Sequence, residues 1–364
     1  MRILHVMSSL KKNGTETFVM NVFRHIDKTT FKFDFLVFND AKDGFYDEII
    51  GMGANIFFLP PRNKGFIAYH HNLNHFFKQN AGKYDAVHLH DMSLSSVAPL
   101  YFAKKHGISK RVIHIHGANT GGIHNKIFHR LNRLRLSHIA THALSCSMNA
   151  SKWGYATTSL YKDSMVIPNG INLDRFVFNS DARYNFRKDF SIQDDEKVLI
   201  HVGNFNNIKN QKFLLDLVNY FNHRDNKVKL LCVGTGFTLN PLKEYAQKLE
   251  IDNKVFFLGY RDDIPSLMSA ADILVFPSIH EGLGLVVVEA MATGLPAVVS
   301  TGVPAEVGVV KDKFYRFDLS SGVEFWANEI SKIPIDPIQR SQPKAIEKYS
   351  IKNTVNLLTD IYKS

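Results

Sequence analysis

The chain has almost no cysteine: Cys146 and Cys232 are the only two in 364 residues. They lie far apart, each inside an apolar run. A disulfide framework is excluded, and the pair reads as buried thiols in a reducing compartment. No uncharged run approaches the length of a membrane span. The apolar opening Ile3–Met7 is too short for a secretory signal and leads into Lys11 and Lys12. A cytoplasmic protein is the simplest expectation. No Gly-x-Gly-x-x-Gly fingerprint follows the first apolar run, which disfavours a nicotinamide-dependent dehydrogenase. Short repeats and low-complexity tracts are also missing.

Acids are scarce in one stretch. Between Pro60 and Asp163, 14 Lys and Arg face only Asp85, Asp91 and Asp163, so this stretch alone accounts for the chain's net charge of +10. Such asymmetry suggests an acidic partner surface, either nucleic acid or anionic lipid. Nucleic acid is not expected, because the stretch has no aromatic platforms set beside Arg or Lys. Within it, Asn125–Ile139 reads as a basic amphipathic helix. Ile127, Leu131 and Leu134 recur at helical spacing beside Phe128, and Lys126, Arg130 and Arg133 form a neighbouring stripe. Two readings stand: an apolar side packed on the core, or peripheral contact with an anionic membrane.

The length predicts two domains, and an apolar content of 45% is that of a soluble globular protein. Apolar runs rich in β-branched and aromatic residues alternate with helical patterns. Predicted strands are Ile3–Ser8, Phe33–Phe38, Asn55–Leu59, Ala86–His90, Arg111–His116, Ala143–Ser147 and Met165–Ile167. A second series comprises Val198–Val202, Lys229–Val233, Val255–Leu258, Ile273–Phe276 and Ala297–Val299. This alternation predicts two α/β domains, each a parallel doubly wound sheet of Rossmann type. Pro168-Asn169-Gly170 punctuates the chain, and Asn172–Asp195 reads as an irregular polar linker. The domains are expected at 1–168 and 169–350, with the active site in the cleft between them beyond the strand ends.

The stretch Pro277–Ala290 carries the most chemistry. Glu281 and Glu289 stand eight positions apart around a Gly-rich turn that opens a helix. A helix N-terminus offers free N–H groups and a positive dipole end to phosphate. The flanking glutamates suit sugar hydroxyls, so the segment fits a nucleotide-sugar. A rival lies in His88-x-His90-Asp91 and His114-x-His116. Alternation puts both histidines of each pair on one sheet face, as metal ligands require. No acidic cluster accompanies them, and no metal or other cofactor is expected.

Several motifs in order resemble the retaining GT-B glycosyltransferases of family 4, which build capsule, exopolysaccharide or lipopolysaccharide. They are Asn13-Gly14-Thr15-Glu16, His116-Gly117, Pro168-Asn169-Gly170, Val202-Gly203 with Lys209-Asn210, Phe257-Leu258-Gly259, and Glu281 with Glu289. The resemblance spans nearly the whole chain. It implies two Rossmann-like domains facing across a cleft, with a last helix, about 351–364, crossing back to the first. It implies a nucleotide-diphosphate sugar donor, UDP-sugar favoured, and a hydroxyl acceptor on a growing, lipid-linked glycan bound by the first domain. His116, Lys209 and Glu281 take the catalytic positions. Gly14, Gly203, Asn204, Lys209, Tyr260, Arg261, Glu281, Gly284, Leu285, Val286 and Glu289 take donor-binding ones. Asn204 stands where the family carries Arg, and Asn brings neither charge nor a bidentate fork. A sugar-nucleotide epimerase of the same fold and a metal-dependent hydrolase on the His-x-His pairs are the alternatives.

Overall fold

Runs of Ile, Val, Leu and Phe become parallel strands here because helices cover both sheet faces, and the central strands of each sheet are buried along most of their length. The computed structural model describes residues 1–39, 41–117, 122–224, 226–337 and 340–364. They divide into two units, Met1–Ile171 with Ile351–Ser364, and Asn172–Ser350.

The first unit holds β1 (Arg2–Met7), β2 (Lys32–Val37), β3 (Ile56–Phe58), β4 (Ala86–Asp91), β5 (Lys110–Ile115), β6 (His142–Ser145) and β7 (Met165–Val166). Their order is β3-β2-β1-β4-β5-β6-β7, and all pairs are parallel. Its helices are α1 (Gly14–His25), α2 (Tyr46–Gly51), α3 (Phe66–Asn80), α4 (Ala98–Lys105), α5 (Ile123–Ile139) and α6 (Met148–Tyr155).

The second unit adds α7 (Ser180–Asp189), β8 (Lys197–Val202), α8 (Gln211–Asn222), β9 (Val228–Val233), α9 (Leu239–Lys248), β10 (Val255–Gly259) and α10 (Ile264–Ala270). It continues with β11 (Ile273–Phe276), α11 (Leu285–Ala292), β12 (Ala297–Ser300), β13 (Phe314–Phe317) and α12 (Gly322–Lys332). The sheet order is β10-β9-β8-β11-β12-β13. In both sheets the order reverses beside the unit's first strand, between β1 and β4 and between β8 and β11. Open α/β sheets place ligands beyond the strand ends at such a reversal. The last helix, α13 (Ile351–Lys363), packs on α1 in the first unit. Its Ile351, Leu358, Ile361 and Tyr362 join the core beside Phe31 and Phe33.

Two expectations need correction. Asn172–Asp195 is not an irregular linker: a 3-10 turn spans Leu173–Phe176, and α7 packs on α10. Asp272, at the foot of β11, explains the order. Arg183 Nη2 reaches its Oδ1 at 2.7 Å, Arg187 Nη1 its Oδ2 at 3.4 Å, and Arg340 lies 3.9 Å away. Arg183 and Arg340 also donate to carbonyls at the C-terminal end of α10, the negative end of its dipole. Burial lowers the Arg340 guanidinium to about 10.

The second correction concerns α5. Its core-facing residues are His129, Leu136 and Ile139. Ile127, Leu131 and Leu134, expected to pack inward in one reading, are 53%, 51% and 73% exposed. Cys146 and Cys232 are both buried, and burial pushes the Cys232 thiol up to about 12. No helix among the described residues is long and apolar enough to cross a membrane.

Candidate functional site

In the second unit, two loops leave the strands that flank the reversal. The β8 loop carries Lys209, and the β11 loop carries Glu281 into α11. They are stitched together where Ile279 N–H donates to the Ile208 carbonyl at 2.7 Å, and Glu281 N–H donates to the carbonyl of Gly302, in the loop after β12, at 3.1 Å. Lys209 Nζ lies 2.5 Å from Glu281 Oε1 and 4.7 Å from the centroid of the Phe276 ring. Both charged side chains are largely shielded from water, where an ion pair is stronger than on an open surface.

Gly284, at φ +85°, is the N-cap of α11 and has no side chain with which to cap it. Only glycine adopts that left-handed geometry without strain. The first N–H groups of α11, including those of Leu285 and Val286, therefore lack intrahelical acceptors and point back towards the loop. Glu289 follows a little over one turn into the helix. Burial pushes its carboxyl up to about 7, with Arg175 opposing the shift.

Gly203 lies against Lys209. A methyl at Gly203 would sit 3.5 Å from Lys209 Cε, an ordinary contact. Closer constraints come from Gly234 and Gly236, which the sequence reading missed. They have φ +134° and +155°, and a Cβ would approach the carbonyl oxygens of Gly203 and Phe205 at 2.2 Å. The available signal was a Gly-x-Gly directly after a strand. Phe276, under the Lys209 ammonium, was also missed, because nothing in its strand distinguishes it from core.

The other predicted donor contacts are more open. Asn204 is exposed, and its carbonyl accepts from Gln211 Nε2 at 2.9 Å. Tyr260 is 60% exposed, with its hydroxyl donating to Asp262 at 2.8 Å. Arg261 forks onto Asp263 at 2.8 and 2.6 Å, so its charge is already paired. Among these residues Lys209 is the cation that stands beside the loop leading into α11, paired with Glu281.

The first unit holds the remaining two predicted residues. Gly14 opens α1 with open space around its Cβ position and without a positive φ. Its role does not rest on a conformation only glycine can adopt. Two residues on, Glu16 is buried and accepts from Ser9 Oγ at 2.6 Å. His116 follows β5, is 7% exposed, and is held by burial down to about 3. It belongs to a buried group with His5, His88, His90 and His114. Their nitrogens form two sets, His5-His88-His90 and His90-His114-His116, each within 4.8 Å. Every one of these rings is buried, and no carboxylate belongs to either set.

Residues 12–175 match the family described as Glycosyltransferase Family 4, and residues 182–352 match Glycosyl transferases group 1. A protein of Bacillus subtilis (strain 168) named as the glycosyltransferase EpsF is 31% identical over 91% of this chain and 87% of its own. The UDP-Gal:alpha-D-GlcNAc-diphosphoundecaprenol alpha-1,3-galactosyltransferase of Escherichia coli is 26% identical, covering 77% of this chain and 75% of its own. Anabaena Alr3699/HepE, solved in complex with UDP, superposes with TM-score 0.82 at 19% identity over 100% of both chains.

Proposed function

This chain is a GT-B glycosyltransferase of the group 1 and Family 4 type, and from that premise we propose that it transfers a sugar from a nucleoside-diphosphate donor, UDP-sugar favoured, to a hydroxyl of a growing lipid-linked glycan. The observation that carries the reading is the uncapped start of α11 with Lys209 beside it and Glu281 and Glu289 on either side. The diphosphate sits at the helix start and draws Lys209 from Glu281. As the glycosidic bond breaks, negative charge grows on the leaving phosphate, and Lys209 and the α11 N–H groups stabilise it. Glu281 then accepts from hydroxyls of the transferred sugar, Glu289 from the ribose, and His116 orients the sugar. Gly14 and Gly203 let backbone approach the phosphates, and Tyr260 and Arg261 border the base. Transfer proceeds with retention, as the family resemblance implies, and by departure and attack on one face, since the sequence offers no clear second carboxylate for a double-displacement pair. Protein cations and a helix end do the work of a metal.

Relatives support the donor choice: one is named for UDP-Gal, and another was solved with UDP. The epimerase and hydrolase alternatives have no counterpart among these relatives, which are named as transferases. The test is thermal melting with UDP-, GDP- and ADP-sugars, with and without EDTA. We expect the UDP series to raise the melting temperature most, with EDTA changing nothing. Stabilisation only by another series, or its loss with EDTA, would overturn the donor class or the metal-independence.

The exposed side of α5 supports peripheral attachment to the inner face of an anionic membrane. Its Ile127, Leu131 and Leu134 face solvent, on a helix that also carries Lys126, Arg130, Arg133 and Arg135. Beside them, a groove of about 730 Å³ among α3, α4 and α5 is lined by Phe66, Tyr101, Phe128, Lys104 and Arg135. Apolar residues insert while the cations meet lipid phosphate. Sedimentation with vesicles should show binding to phosphatidylglycerol and none to phosphatidylcholine, weakened by salt. Leu131→Glu with Leu134→Glu should abolish it; equal binding by that variant removes α5 from the contact.

A further inference from the structure

The strands β8 and β11 separate where the order of the second sheet reverses. They pair at Leu199 with Ile273 and at Ile200 with Leu274, and β8 then continues beside β9 to Val202. The next pair in register would be His201 with Val275. There a side chain takes over: His201 Nδ1 lies 3.1 Å from the Val275 carbonyl. A carbonyl only accepts, so in the neutral ring this nitrogen carries the proton and Nε2 is bare. The ring is neutral because burial lowers it to about 4, with the Val275 bond opposing the fall and the Lys209 ammonium adding to it.

The bare nitrogen faces Gln211. Gln211 Nε2 lies 3.4 Å from His201 Nε2 and 2.9 Å from the Asn204 carbonyl. An amide nitrogen has two N–H groups, one for each of these acceptors. Turning the amide over would set its oxygen against both the carbonyl and the bare ring nitrogen. The orientation adopted leaves Gln211 Oε1 buried and without a partner among the described residues. One under-satisfied carbonyl oxygen is the smaller cost. His201 and Gln211 are 0% and 2% exposed, so bulk water does not compete for either bond.

These bonds close the loop that carries Lys209. Gln211 follows Lys209 by two positions and reaches back to the carbonyl of Asn204, near the end of β8. Asn210, between them, is left-handed at φ +54° and ψ +43°, a conformation that Asn tolerates better than most side chains. Across that turn Gln211 goes inward and Lys209 goes to Glu281. A methyl at Gly203 would lie 3.5 Å from both His201 Nε2 and Lys209 Cε, so the ring and the lysine stem border the same glycine. His201 also stacks on Phe276, the ring beneath the ammonium, with centres 5.4 Å apart.

We propose that His201 and Gln211 are positioning residues: a buried, uncharged brace that closes residues 204–211 into one loop and holds the Lys209 ammonium at the start of α11, where the leaving diphosphate gains charge. The proposal rests on the reading of that helix start as the diphosphate site. Neither residue touches the donor, and their effect reaches it only through Lys209.

Two measurements on the full chain test this. With 15N in the histidine rings, His201 should be a neutral Nδ1–H ring at pH 7 and remain so to pH 5. Gln211→Met, close in volume and without an N–H, should leave that proton in place and move the Nε2 resonance. Calorimetric titration with UDP should show Gln211→Met weakening binding about tenfold, the worth of one or two hydrogen bonds. In a Lys209→Ala background the same substitution should change UDP affinity less than about twofold, because two residues that act through one group do not add. His201→Phe, which keeps the stacking on Phe276, should follow the same pattern. An Nε2–H or charged His201 in the unaltered chain, unchanged UDP affinity in Gln211→Met, or a loss as large with Lys209→Ala as without it would each overturn the proposal. UDP affinity indifferent to Lys209→Ala would instead remove the diphosphate site, and the role of the brace with it, while leaving the ring-nitrogen result standing.

Discussion

Lys209→Ala is expected to lower kcat by about 10²- to 10³-fold, the usual cost of deleting one preorganised group that meets developing charge. The geometry gives this variant an informative partner. Lys209 and Glu281 hold each other at 2.5 Å, so a phosphate at the proposed site would compete with the carboxylate for the ammonium. Glu281→Gln frees the lysine. It should bind the bare nucleoside diphosphate at least as tightly as the unaltered chain, yet lose turnover, because the contact with the transferred sugar is weakened. Lys209→Ala should lose affinity for the nucleotide and turnover together. Calorimetric titration with UDP beside initial rates separates the two. Near-normal rates in Lys209→Ala, or equal loss of UDP affinity in both variants, would remove the ion pair from the chemistry.

The second large effect concerns stability. Asp272 is 2% exposed and faces Arg183, Arg187 and Arg340. Asp272→Ala leaves buried guanidinium groups without a counter-charge and leaves the Val198 N–H without the carboxylate it now meets at 2.7 Å. Breaking a buried pair from one side costs about 3–5 kcal/mol, a large fraction of a domain's stability. A chain of two units need not unfold in one step. The two tryptophans help, since Trp153 lies in the first unit and Trp326 is buried in the second. In a Trp153→Phe background, fluorescence follows the second unit alone, and its urea midpoint should fall sharply with Asp272→Ala. A midpoint unchanged by the substitution would mean that the carbonyls at the end of α10 suffice to hold the arginines.

That cluster also shows why part of the fold could not be read from the sequence. Most strands were legible because each is a short apolar run bounded by polar turns. The helix α7 was not, since Phe186 is its one buried apolar residue and no 3.6-residue apolar repeat exists. Its order comes from Arg183 and Arg187, one turn apart, meeting an acid some 85 residues later. The strand β13 was hidden by brevity, four residues with a central arginine. For α5 the helix was legible but its orientation was not. Amphipathicity says that one side differs, and only the packing reveals that His129 and Leu136 face inward while Leu134 does not. The glutamate-bracketed turn could be read because strand, Gly turn and helix are contiguous. The Lys209–Glu281 pair joins residues 72 apart, and the buried histidine sets need the register of three strands, which alternation alone does not supply.

The helix α13 has a consequence for biosynthesis. Tyr362 is fully buried and Lys110 Nζ reaches the carbonyls of Ile361 and Tyr362 at 2.9 and 2.7 Å, yet these partners emerge from the ribosome some 250 residues after β5. The unit made first is thus finished last. Throughout translation of residues 172–350 the site beside Phe31 and Phe33 that α13 fills stays uncovered, and it closes only after the second unit has been made.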